Sequence, residues 1–232
     1  MAIFLNTLLH QGKFDEKQIW STTIHGLLTT PAPSMGTHAG LKVGYGTGVY
    51  SRIRRCLVWH GHGGDADGYR SRYAFLPGYD AAYAVVINTD NPGALVRMER
   101  LIEAELSKAV AKPIVTPLVT TPANPDFNGT YYPATVRFSQ DAWAACESPR
   151  TWLRAEKDQL FVRIGDRRHT FTSTGNNQFT RKGEHHATMA LVKDQQGVLW
   201  FVGELGNFVR IGTRHPNQQS PVPPFLPRCL PE

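Results

Sequence analysis

The stretch LVWHGHGGDADGYRSRYAFLPGYDAAYAVVIN, Leu57 to Asn88, decides how the first half of the chain is read. It opens with an apolar run, Cys56-Leu57-Val58-Trp59, and breaks into His60-Gly61-His62-Gly63-Gly64. It turns through Asp65-Ala66-Asp67-Gly68 and becomes apolar again from Ala81 to Ile87. Short apolar runs bounded by Gly, Pro and Asp read as buried strands. The expected order is therefore strand, Gly-rich bend, loop, strand, with two histidines at the bend. Histidines beside glycines mark backbone that another group approaches closely. A chemical site is expected here.

Working outward, Asn91-Pro92-Gly93 opens a helix over Ala94 to Val110, with Leu95, Met98, Leu101, Ile102, Leu106 and Val110 as its apolar stripe. Two strands and a covering helix make one α/β layer unit. Upstream, Leu41 to Tyr50 reads as a strand interrupted by glycines, and Ser51 to Arg55 as a turn or strand edge. Thr29 to Gly40 is a Pro/Gly/Ser loop, and Asp15 to Leu28 suggests a short helix. Residues 2 to 11 read as a helix ended by Gly12. It begins mid-pattern with no capping residue, so the chain is expected to be truncated.

Downstream, Lys112 to Pro125 holds four prolines and no helical period, and reads as an extended linker between domains. Beyond it lie eight short strand candidates: 129–138, 151–155, 160–164, 169–173, 178–182, 188–193, 198–203 and 208–211. Turn signals such as Gly175-Asn176-Asn177 and Asp194-Gln195-Gln196-Gly197 separate them. This spacing describes a small antiparallel barrel or sandwich. Trp59, Trp152 and Trp200 are expected in cores. The proline-bearing tail, 214–232, is expected to be extended.

Composition narrows the function classes. The 232 residues are 41% hydrophobic and carry a net charge of +6. The basic residues are scattered apart from Arg52-Ile53-Arg54-Arg55 and Asp166-Arg167-Arg168-His169, which argues against a nucleic-acid partner. Three cysteines, Cys56, Cys146 and Cys229, without a CxxC exclude a disulfide framework and a cysteine zinc knuckle. No apolar stretch reaches the roughly 18 residues needed to span a membrane. Gly44-Tyr45-Gly46-Thr47-Gly48 lacks the helix start and distant acidic residue of a dinucleotide cradle. His60-x-His62 followed by Asp65 misses the HxHxDH spacing of metallo-hydrolases, because the aspartate comes one residue late and no histidine follows it. His10, His25, His38, His185 and His186 are scattered and expected at the surface. No metal and no cofactor is called for.

The order of motifs resembles the serine β-lactamase-like hydrolases, which include class C β-lactamases, penicillin-binding proteins, related esterases and D-amino-acid peptidases. His62-Gly63-Gly64 matches their third motif, Lys-[Ser/Thr]-Gly, in which histidine replaces lysine in many esterase-like members. Gly44-Tyr45-Gly46-Thr47-Gly48 looks like the family's GYGLG strand, and residues 2 to 14 resemble the helix leading into it. The resemblance covers roughly residues 1 to 109. It implies an α+β fold: a partial β-lactamase-like antiparallel sheet with helices over 1–111, a linker over 112–125, a lipocalin-like barrel over 126–213 and a tail over 214–232. It implies an ester, β-lactam or peptide substrate and a periplasmic or membrane-attached parent. His62, Gly63 and Gly64 would be the third-motif positions, and the Asp65 backbone N–H an oxyanion donor. Tyr45 and Tyr69 would line the cleft.

The family's nucleophile belongs to Ser-x-x-Lys, where lysine one helical turn away takes the serine proton. Ser21, Ser34, Ser51, Ser71, Ser107, Ser139, Ser148, Ser173 and Ser220 all lack a lysine three residues on. Tyr73-Ala74-Phe75 and Tyr79-Asp80-Ala81 do not fit the second motif, Tyr-x-[Asn/Ser], and Gly63 lacks the hydroxyl that most members carry. The chain is thus expected to be a C-terminal fragment, inactive alone, whose partner is the missing N-terminal half. The alternative is a non-catalytic binding module whose barrel holds a ligand or partner.

Overall fold

The structure is a computed structural model that describes residues 1–110, 118–134 and 151–210. The chain divides into two compact units: Met1–Thr116 with Gly183–His186, and Pro117–Lys182 with Ala187–Glu232. Residues 112–117 of the linker, the boundary at 213 and the whole tail lie outside the described residues, as do Cys146 and Cys229.

The first unit is a five-stranded antiparallel meander with helices on both faces. Its strands are β3 (Gly44–Tyr45), β4 (Tyr50–Arg54), β5 (Leu57–Ala66), β6 (Tyr69–Leu76) and β7 (Ala81–Ile87), side by side in chain order. On one face α4 (Pro92–Ala109) covers Leu57, Trp59, Ala74, Leu76, Tyr83 and Val85 with Leu95. On the other, Leu5 and Leu8 of α1 (Ala2–Leu9) pack on Val49 and Phe75. The Asn91 side chain caps α4 by accepting from the Ala94 N–H at 2.9 Å.

Several expectations need correction. The glycines of the opening stretch make no bend: β5 runs straight through His60 to Ala66, and the chain turns at Asp67-Gly68 instead. The loop expected next is β6. Arg70 is ion-paired with Asp65 at 3.0 Å and Asp90 at 2.5 Å, and Ala74, Phe75 and Leu76 at the other end of the strand are all buried. Cys56, expected in the apolar run, sits with Arg55 in the two-residue turn between β4 and β5. Both have positive φ, 56° and 67°, as a type I′ hairpin requires. Lys13 to Gln18 form a hairpin of β1 (Lys13–Phe14) and β2 (Lys17–Gln18), so helix α2 is only Thr22–Thr29. The 29–40 loop contains the short helix α3 (Met35–His38), closed by a Ser34–Thr37 capping box. Of the 41–50 strand only Gly44, Tyr45 and Tyr50 pair, and Tyr50 belongs with Ser51 to Arg54 to β4, inside the sheet.

The stripe on α4 is rotated from the one expected. Leu101 is 67% exposed and Met98 is exposed too, whereas Glu99 and Glu103 are buried. Helical spacing alone favoured the leucine and methionine, but Arg52 and Tyr83 on the sheet offer the glutamates partners. Arg52 Nη2 lies 2.5 Å from Glu99 Oε1, contacts Glu103 Oε1 and donates to Tyr83 Oη at 2.9 Å. Charges that deep in a fold need such partners.

The second unit is a closed antiparallel barrel. Its strands are β8 (Gly129–Pro133), β9 (Thr151–Glu156), β10 (Gln159–Ile164), β11 (Arg167–Ser173), β12 (Gln178–Arg181), β13 (Met189–Lys193), β14 (Leu199–Gly203) and β15 (Gly206–Arg210). Each pairs with the next in sequence, and β15 closes on β8 through Val209↔Tyr132. Eight strands give an interior that side chains just fill. Here Tyr131, Leu153, Leu160, Val162, Phe171, Phe179, Leu191 and Phe201 fill it. The turns follow their chemistry: Asn176 and Asn177 take positive φ, and Asp194 accepts from the N–H groups of Gln196 and Val198. Trp59 and Trp200 are buried as expected, but Trp152 points outward and is 46% exposed, since it alternates with inward Thr151 and Leu153.

Candidate functional site

The hairpin register places the site. The two-residue turn at Arg55-Cys56 makes Arg54↔Leu57 its closing pair, and closing pairs exchange both backbone bonds. Every second residue repeats this, so the N–H and C=O of Leu57, Trp59 and Gly61 face β4. Gly63 and Asp65 continue that series, but β4 begins at Tyr50, opposite Gly61. From His62 to Ala66, β5 is paired among the described residues with β6 alone. The N–H groups of Gly63 and Asp65 therefore lie along an open strand edge.

His62 stands at the start of that edge. Its Nδ1 is 2.5 Å from the Gly63 carbonyl and its Nε2 3.1 Å from the Tyr45 hydroxyl. The Tyr45 ring meets the imidazole edge-on at 5.9 Å, and the Tyr50 ring lies 6.2 Å away. Tyr50 is held in turn by the Arg52 guanidinium, 5.4 Å over its ring. Burial pushes the Tyr50 phenol up despite the nearby Arg52 charge. Tyr73, opposite His62 in register, is also pushed up by burial, with smaller contributions from Tyr50 and Tyr45. Phe4 of α1 meets Tyr73 edge-on at 5.5 Å.

His60, two residues earlier on the same face, lives in a different environment. Its Nδ1 pairs with Ser51 Oγ at 3.0 Å and its ring lies on Phe75. Burial, and then the charge of His25, holds its imidazole down at about 4. His25 is itself buried, which corrects its expected surface position, and burial lowers its pKa as well. These two histidines are neutral interior groups near pH 7. Only His62 of the three presents a ring at the open edge.

The glycines answer different needs. A Cβ at Gly61 would lie 2.2 Å from the Tyr73 carbonyl oxygen, so the backbones of β5 and β6 leave no room for a side chain. At Gly63 the clash would be with Arg72 Nη1, the movable end of a side chain. Gly64 accepts a hydrogen bond from Ser71 Oγ at 3.2 Å. Asp65 pairs through its carboxylate with Arg70 and, at 3.8 Å, with Arg72. Tyr69, expected beside Tyr45, stands instead at the hairpin tip opposite Ala66 and is 58% exposed. The sequence thus brings Tyr45, His62, Gly63 and the Asp65 amide to one edge and leaves Tyr69 apart.

Behind the sheet, the Arg52 cluster supports Tyr50. Burial works against the Arg52 charge, but the bond to Glu99 and the charge of Glu103 outweigh it and hold its pKa above the ordinary value. Burial pushes Glu103 up, with Arg52 opposing, and the Tyr83 phenol rises for the same reason. No motif pointed to Tyr50, Arg52 or Tyr83. The signal available was an alternation of Tyr50, Arg52 and Arg54 on one strand facing glutamates four residues apart on a helix.

No family model and no curated protein matches the chain. Among solved structures the chain is similar to the octameric penicillin-binding protein homologue from Pyrococcus abyssi, at 13% identity and a TM-score of 0.35, over 89% of this chain and 45% of that one. It is also similar to SurE with D-Leu, at 17% identity and a TM-score of 0.43, over 83% of this chain and 44% of that one. A further SurE structure matches at 16% identity and a TM-score of 0.45, over 83% and 43%. The chain spans less than half the length of each of these distant neighbours.

Proposed function

We propose that the first unit is the C-terminal part of a serine β-lactamase-like hydrolase domain and supplies one wall of its cleft. The observation that carries this reading is the open edge of β5. The His62 ring, the two small residues after it and the Asp65 N–H lie in line there, which is the arrangement a substrate carbonyl requires. His62 orients the substrate or relays a proton, Gly63 and Gly64 let it lie against the strand, and the Asp65 N–H is half of an oxyanion hole. The nucleophile's own N–H would be the other half. Substrates are small esters, β-lactams or peptides.

The surface of the same unit supports a missing partner segment. Ile3 and Phe4 on α1, Ile24 and Leu27 on α2, Ile19, and Val86 on β7 are all exposed. These are apolar side chains that a covering segment would bury. The barrel, filled by its own aromatic side chains, reads as an appended structural domain, joined by residues 112–125. No helix among the described residues is long and apolar enough to cross a membrane. A periplasmic or membrane-attached parent belongs to the same proposal.

The test is turnover of a chromogenic short-chain ester and a chromogenic cephalosporin by the isolated chain. Rates at the buffer background are expected, because no serine carries the neighbouring lysine. Robust turnover that disappears in His62→Ala would overturn the claim that this chain alone is inactive.

A further inference from the structure

The bonding around His62 gives Tyr45 a role that lining a cleft does not use. A carbonyl only accepts, so the 2.5 Å contact with the Gly63 oxygen places the imidazole proton on Nδ1. Nε2 is then the basic nitrogen, and the Tyr45 hydroxyl 3.1 Å away donates to it. The order of groups is carbonyl, imidazole, hydroxyl. A base within hydrogen-bond reach of an oxygen, oriented by a third group, is the arrangement that activates oxygen nucleophiles. The aromatic packing fixes it: the Tyr45 ring is edge-on to Tyr50 at 6.0 Å, and Tyr50 is clamped by Arg52. Tyr45 is nevertheless 55% exposed, so a ligand can reach its oxygen from solvent.

We propose that Tyr45 and His62 form a phenol–imidazole dyad whose reactive atom is Tyr45 Oη, and that it reacts with acyl or sulfonyl electrophiles entering along the open edge of β5. With an aryl ester, the bond from Oη to the carbonyl carbon forms as the phenolic proton passes to His62 Nε2. The bond from carbonyl carbon to leaving oxygen then breaks, and that oxygen takes the proton back from the imidazolium. The products are acylated Tyr45, the free phenol and neutral His62. The N–H groups of Gly63 and Asp65, without a strand partner among the described residues, lie on the edge where charge develops on the carbonyl oxygen. The dyad goes beyond the cleft-wall reading, since it requires no serine–lysine pair, and a single stoichiometric modification differs from turnover.

The test is labelling of the full chain with an aryl sulfonyl fluoride, followed by peptide mass spectrometry. In that reaction the Oη–S bond forms, the S–F bond breaks, fluoride leaves, and His62 Nε2 takes the proton. Tyr69, 58% exposed and at the hairpin tip, is an internal control of similar accessibility. Tyr45 is expected to label at least about tenfold faster than Tyr69, a modest share of what a positioned base contributes. In His62→Gln the Tyr45 rate is expected to fall to that of Tyr69, with the Tyr69 rate unchanged as evidence of folding. Equal rates at the two tyrosines in the unsubstituted chain, or a Tyr45 rate indifferent to His62→Gln, overturn the dyad. Imidazole ¹⁵N spectra of the unsubstituted chain decide it independently of any variant. A His62 proton on Nδ1 supports the dyad, and one on Nε2 overturns it. Failure of the labelling leaves the cleft-wall reading standing, whereas ester turnover by the isolated chain that is lost in His62→Ala but kept in Tyr45→Phe overturns the dyad and the inactivity of the isolated chain, and leaves His62 on the cleft wall.

Discussion

Replacing Arg52 by methionine tests whether the buried cluster behind the sheet holds the first unit together. Arg52 keeps only 13% of its side chain exposed, and its partners Glu99 and Glu103 keep 7% and 3%. Arg52 therefore pairs with two carboxylates nearly out of water, and the Arg54 charge acts on Glu103 as well. Removing it strands both, a loss that costs on the order of 3–5 kcal/mol for buried pairs. Part of this is recovered by proton uptake, since burial already pushes Glu103 above the ordinary carboxylate range and Arg52 is the largest of the groups that oppose it. The Arg52→Met variant should accordingly be least stable at neutral pH and regain stability as the pH falls. Glu99→Gln removes the surplus negative charge while Arg52 keeps Glu103 and Tyr83, so it is expected to stay within about 1 kcal/mol of the unsubstituted chain. Because the chain has two units, urea unfolding is best followed by hydrogen exchange in peptides covering β4 and α4. A cost for Arg52→Met below about 1 kcal/mol, or an equal cost for Glu99→Gln, would refute the reasoning.

Other expectations follow from single sites. His60 is held near 4 and is neutral in the fold, whereas an unfolded histidine titrates near 6.5, so the unfolded chain binds the extra proton between these values. Stability should be lost as pH falls from about 6.5 through about 4, by up to about 3 kcal/mol from this group, with Glu103 opposing in part. A Tm-against-pH curve that is no flatter in His60→Phe would remove His60 as the cause. Gly61→Ala should destabilise by about 1–3 kcal/mol, because its Cβ would strike the Tyr73 carbonyl, while Gly63→Ala, which displaces only the end of Arg72, should cost less than half as much. Comparable urea midpoints for the two would contradict this. Asn91→Ala should cost about 1 kcal/mol through loss of the α4 cap, read in the same exchange peptides. Phe201→Ala in the barrel should cost about 3–5 kcal/mol, and a much smaller loss would mean that the barrel interior is looser than its packing implies.

The barrel was readable because its strands alternate and its turns carry Gly, Asn and Asp where positive φ or side-chain acceptors are needed. The first unit was less so. β6 carries no alternation, because Ala74 and Leu76 are buried on one face and Phe75 on the other, and Arg70 and Arg72 read as loop until their pairing with Asp65 is seen. The helical period of α4 was clear, but which face is buried depends on Arg52 and Tyr83, more than ten residues away in sequence. Local pattern cannot supply a partner of that kind. At the candidate site, the sequence singled out His62, Gly63, Gly64 and Tyr45. It could not separate His60 from His62, because their difference is that β4 begins only at Tyr50, a matter of strand length. It also placed Tyr69 with Tyr45, although two further residue pairs of hairpin stand between Gly64 and the tip.

The most direct test of the cleft wall lies in a longer polypeptide. The chain would be expressed continuous with the segment encoded immediately upstream of Met1, read in any frame, and its kcat/KM measured on a chromogenic short-chain ester with and without His62→Ala. Turnover that depends on an upstream Ser-x-x-Lys and falls by about 10²–10⁴ in His62→Ala is expected if His62 transfers or orients the proton at the reacting centre. An upstream segment without Ser-x-x-Lys, or turnover that His62→Ala leaves unchanged, would contradict the assignment of the β5 edge as one wall of a serine hydrolase.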